Sequence, residues 1–168
     1  MAKIILGYKM SPACNFLGRD EGHAFTIFEK GTVRIKNLTF EGAVMKSKKI
    51  TIPQSIIEDI TKCFYEQKTL IENLPERIDN DSLDGAYHNF NFMGKKVSCL
   101  NISRHNLEEV SKAKIFVSEF AWFSPPSTKM ISQQENDVLK IFESAYNFLK
   151  DYGLKVYSWE NFYCEWEI

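Results

Sequence analysis

The chain has 168 residues, of which 44% are hydrophobic and 14% aromatic, with a formal net charge of −1. That length can bury a core without staples and is expected to form one domain over 1–168. The near-zero charge argues against a general pull toward nucleic acid or anionic membrane, and no apolar run approaches the length of a membrane span.

Cys14, Cys63, Cys99 and Cys164 lie far apart with no C-x-x-C pair. They read as reduced thiols that pack a core. The opening Met1-Ala2-Lys3-Ile4-Ile5-Leu6 is too short for a signal-peptide core, and the expected location is cytoplasmic.

Residues 3–8 are predicted to form a short strand, and 9–22, with Pro12, Gly18 and Gly22, a loop. A hairpin follows. Phe25 and Ile27 alternate with Ala24 and Thr26, Lys30-Gly31 makes the turn, and Thr32 to Phe40 returns with Val33 and Ile35 on one face. Gly42 to Ile52 carries Lys46, Lys48 and Lys49 and reads as an edge strand, where lysines discourage sheet-to-sheet association. Pro53 opens an amphipathic helix over 53–73, with Ile56, Ile57, Ile60, Cys63, Phe64, Leu70, Ile71 and Leu74 at helical spacing. Pro75 ends it.

A second hairpin runs from the Ser82–Gly85 turn to Ile102. His88, Phe90 and Phe92 share one side, Tyr87, Asn89 and Asn91 the other, and Met93-Gly94 breaks the two strands. Residues 106–120 lean to helix, and Ser124-Pro125-Pro126-Ser127 is a firm break. Ser132 and Glu135 have capping-box spacing. They open a helix over 133–152 whose face is Val138, Leu139, Phe142, Ala145, Tyr146, Leu149 and Tyr152, with Gly153 as the stop. The expected fold is α+β: an antiparallel sheet of four to six strands built from two hairpins and packed by two or three helices. The expected core is Phe25, Ile27, Val33, Ile35, Ile56, Ile60, Phe64, Phe90, Phe92, Val97, Leu139, Phe142 and Leu149.

Two groups of residues invite a functional reading. His88 stands four residues after Asp84 beside a glycine turn, and Arg104 follows the same hairpin. Together they fit a small acid–base enzyme acting on a phosphate or carboxylate substrate. The plainer reading makes Asp84-Gly85 ordinary turn chemistry and His88 an amphipathic strand residue. His23, His88 and His105 lack metal-ligand spacing, no Ser or Cys sits on a strand-to-helix elbow, and no glycine run cradles a phosphate, so no metal or cofactor is expected. The second group is the tail. Trp159, Tyr163 and Trp166 alternate with Glu160 and Glu165, the composition of a patch in which the rings anchor and the acids steer toward a basic protein partner, unless the tail is simply the last strand of the core. Trp122, beside the Ser124–Lys129 loop, is a second candidate contact.

From 23 to 102 the order is hairpin, amphipathic helix ending in ENLPERIDN, then SLDG, a phenylalanine-rich strand, GKK and a strand ending in CLNI. This resembles small bacterial immunity-like proteins of polymorphic-toxin and contact-dependent growth inhibition systems. The resemblance covers roughly half of the chain and its motifs are structural. It implies a non-enzymatic protein that binds and neutralises a cognate toxin domain. The expected partner is therefore a protein, with no nucleic acid and no membrane. No binding residue carries over from the resemblance, and the oligomeric state is not set by it.

Overall fold

Alternating apolar residues on short strands and one apolar stripe on each helix leave few ways to bury both, and the chain takes the simplest of them. The computed structural model describes residues 2–11, 22–39, 41–78, 87–100 and 133–153. Seven strands form one sheet: β1 (Ile4–Ser11), β2 (Gly22–Phe28), β3 (Thr32–Leu38), β4 (Val44–Thr51), β5 (Arg77–Ile78), β6 (Tyr87–Phe92) and β7 (Lys95–Leu100). The described helices are α1 (Gln54–Glu66), α2 (Lys68–Asn73) and α3 (Gln133–Asp151). The α+β class is as the sequence predicts.

The strand order is β4-β3-β2-β1-β6-β7-β5, antiparallel except for the β5–β7 pair. The sheet thus exceeds the expected four to six strands, because β5 joins the opening strand, the two hairpins and the edge strand. β1 is the centre, pairing with β2 on one side and β6 on the other. It continues to Ser11, and β2 begins at Gly22, so both ends of the expected 9–22 loop are strand. Polar residues Lys9 and Ser11 hide that continuation in the sequence, whereas pairing on both sides supplies the ladder that holds it. At Gly7 a side chain would meet the Asn91 Cβ at 3.2 Å, so β6 closes tightly on β1 there.

Both predicted hairpins form. Gly31 has φ +77° in the β2–β3 turn, and a Cβ there would lie 2.6 Å from the Ile52 carbonyl oxygen. The backbone N–H of Ile52 donates to the Gly31 carbonyl at 2.9 Å. Gly31→Ala therefore combines a left-handed backbone with a backbone clash. We expect it to cost about 2 kcal/mol, read as a lowered thermal midpoint; an unchanged midpoint would show that the turn relaxes freely. In the β6–β7 turn Met93 and Gly94 have φ of 51° and 104°, the positive values a two-residue hairpin needs. The Gly94 N–H donates to the Asn91 carboxamide oxygen at 2.8 Å.

The helices cover one face. β4 and β5 lie at opposite edges of the sheet, so the α1–α2 segment between them carries the chain from one edge to the other. Leu6, Tyr8, Phe25, Ile27, Val33, Ile35, Phe90, Phe92 and Val97 are buried in one core with Ile57, Ile60, Phe64, Val138, Leu139, Ile141, Phe142 and Leu149. The expected core is correct with one exception: Ile56 is half-buried and Ile57 takes the inward place. The expected helix over 53–73 is interrupted at Gln67 (φ −102°, ψ 14°). There the Gln67 side chain donates to the Ser144 hydroxyl of α3 at 3.0 Å and to the Cys63 carbonyl at 3.3 Å. Pro53 sits at the N-cap, just before the first helical residue.

Tyr152, just past the end of α3, is exposed rather than part of the buried stripe, and Ile141 is buried in addition. Glu135 is 2% exposed, and its expected capping partner Ser132 lies outside the described residues. So does the 106–120 segment. Among the described residues no helix is long and apolar enough to cross a membrane.

Candidate interaction surface

Strand register sorts the polar residues onto the two faces. On the helix-covered face one cross-strand row reads Lys46–Asn37–His23–Met10–His88–Cys99, from β4 to β7. His88 therefore points toward the core with Phe90 and Phe92, as the alternation predicts. Its Nδ1 lies 2.7 Å from the hydroxyl oxygen of Tyr8. Burial lowers its pKa to about 4, so at neutral pH the imidazole is uncharged.

His23 behaves alike. Burial lowers its pKa to about 4, and the Asn37 side chain opposite works weakly against that shift without closing a hydrogen bond of good geometry to Nδ1. Met10 pairs with both histidines, which holds their strands two spacings, ~10 Å, apart. The Cys99 thiol is pushed up to about 12, first by burial and then by the Glu135 carboxylate, so it stays protonated and is no activated nucleophile. Among the described residues no three His, Cys, Asp or Glu side chains gather closely enough to hold a metal ion.

Of the acid–base constellation, Asp84 and Arg104 lie outside the described residues, and only His88 is placed. Trp122, Trp159, Glu160, Tyr163, Glu165 and Trp166 also lie outside them. A shallow groove of about 540 Å³ runs between the start of β1, the β2–β3 turn and α1. Ile5, Ile57 and Tyr65 line it with charged residues of both signs, Lys3, Glu29 and Lys62 among them.

The other face of the sheet has a different character. Its two central rows are Lys49–Arg34–Thr26–Gly7–Asn91–Lys96 and Ser47–Lys36–Ala24–Lys9–Asn89–Ser98. Lys9, Arg34, Lys49 and Lys96 are exposed, and Lys36 is half-buried. The small residues between them leave a flat floor. Arg34 lies over the Phe28 ring, its guanidinium carbon 5.1 Å from the centroid, and this contact holds an otherwise flexible cation in place. Leu38 is buried on this same side, at the end near Gly22.

No protein-family model matches this chain, and no curated protein matches it. The lysines of the 42–52 segment, expected to protect an edge, include Lys49, which lies opposite Arg34 on this face. Each strand's alternation was readable, but which outward residues become neighbours depends on the strand order.

Proposed function

We propose that this chain works by binding another protein, with no chemistry of its own, and that its partner is a toxin domain neutralised by the contact. The observation that carries the reading is the sheet face that none of the described helices covers, on which Lys9, Arg34, Lys49 and Lys96 are exposed. Its six-strand rows span ~24 Å, and strands of six to eight residues give it a similar length. With side-chain relief, such a surface approaches the ~800 Å² per partner of a standard interface. Blocking an enzyme needs only complementary contacts over its active site or substrate groove. The order of elements over 23–102 that resembles immunity-like proteins supports the toxin as partner. We propose Trp122, Trp159, Glu160, Tyr163, Glu165 and Trp166 as further contacts on composition.

The test is capture of partners by the tagged full chain from its native host, with inspection of the adjacent reading frame. A toxin-like protein bound directly and encoded next door is the expected result. A purified chain that binds no cellular protein, with no toxin-like frame beside its gene, overturns the reading.

A further inference from the structure

We infer that the sheet face opposite the described helices takes an acidic protein surface, with Lys9, Arg34, Lys36, Lys49 and Lys96 as the recognising cations. The inference rests on the protein-binding reading above and names the chemistry of the partner. Across the two central rows, five of twelve positions are cationic and none is acidic. In a chain of net charge −1 this is a strong local segregation. Among the described residues none of the five is paired with a carboxylate, the ion pair found there being Lys68–Glu72 between α2 side chains.

The layout suits carboxylates. Arg34, braced on Phe28, offers a planar fork for bidentate contact. Gly7, Ala24 and Thr26 form a low floor between the cations, so a partner's short acidic side chains can reach the lysines at its rim. The Asn91 oxygen is occupied by the Gly94 N–H, which leaves the Asn91 amide hydrogens as donors beside Lys96.

The same cations could attract nucleic acid, but the face lacks what sheet-based binding of single strands uses. Such binding stacks bases on exposed aromatic rings along a basic track. Here Phe28 is covered by Arg34, and Tyr87 stands in an outer row beside Ser11 and Leu100. The cations are spread over the width of the sheet rather than aligned. The overall charge of the chain adds no long-range pull on a polyanion.

The test uses the isotope-labelled full chain, titrated at low salt with a short glutamate-rich peptide and, separately, with single-stranded DNA of matched charge. The expected result is that the peptide shifts the backbone amide signals of Thr26, Asn89, Asn91 and Lys96. The combined Lys36→Glu, Lys49→Glu and Lys96→Glu variant, checked for an unchanged fold by its remaining amide spectrum, should bind the peptide at least about tenfold more weakly. The inference is overturned if the peptide does not bind, if the shifts map elsewhere, if charge reversal leaves its affinity unchanged, or if the DNA binds this face more tightly. The two readings fail separately. A host protein captured equally by wild type and the charge-reversed variant would sink the surface and keep protein binding. Peptide binding at this face with no protein captured would do the opposite.

Discussion

Phe142→Ala is expected to cost about 3–5 kcal/mol of folding stability. The ring is fully buried on α3 and meets aromatic rings from three strands at once. Its centroid lies 5.3 Å from Tyr8 on β1, 5.3 Å from Phe90 on β6 and 6.1 Å from Phe25 on β2. Tyr146 stacks on it from the next turn of the helix at 5.9 Å. Removing the ring opens a cavity where helix and central strands meet, and a rigid sheet cannot collapse to fill it. Denaturant unfolding of the variant measures the loss. A value below about 1 kcal/mol would mean that α3 does not lie on the sheet as described.

Acid should destabilise the fold between about pH 6.5 and pH 4. His23 and His88 each have their pKa lowered from 6.5 to about 4 by burial. As pH falls through 6.5 the unfolded chain takes up protons that the folded chain refuses, which favours unfolding. The stability held above pH 6.5 is therefore lost progressively until the folded-state value is reached. The loss is up to about 3 kcal/mol for each histidine. Urea midpoints measured across this window should fall steeply, and the two imidazole ring signals should not titrate above pH 5. An imidazole titrating near 6.5, or midpoints flat across the window, would place these rings in water instead.

Some of this was written locally. The inward side of the second hairpin follows from the His88, Phe90, Phe92 alternation alone, since successive strand residues face opposite ways. The Lys30-Gly31 turn and the two-residue Met93-Gly94 turn were readable because positive φ is confined to few sequences. The α3 stripe was readable because Val138, Leu139, Phe142, Ala145 and Leu149 repeat at helical spacing. Other features could not be read in this way. The hydrogen bond from Gln67, where the helix breaks, to Ser144 joins residues 77 apart, and no local window contains both. The choice of Ile57 over Ile56 follows from how α1 docks, because both lie near the apolar stripe.

The sequence by itself determined the α+β class, both hairpins, the lysine-bearing edge strand and most of the core. Each of these is a matter of period, turn chemistry or composition within a few residues. The tertiary structure alone decided that β1 is the centre of a seven-stranded sheet and that β5 closes its far edge in parallel. It also set His23 and His88 on either side of Met10 and brought Lys9, Arg34, Lys36, Lys49 and Lys96 from four strands onto one face. Strand order is set by long-range pairing and by which helix covers which face. A residue's neighbours across a sheet are therefore absent from any short stretch of chain, even where the direction of its side chain is not.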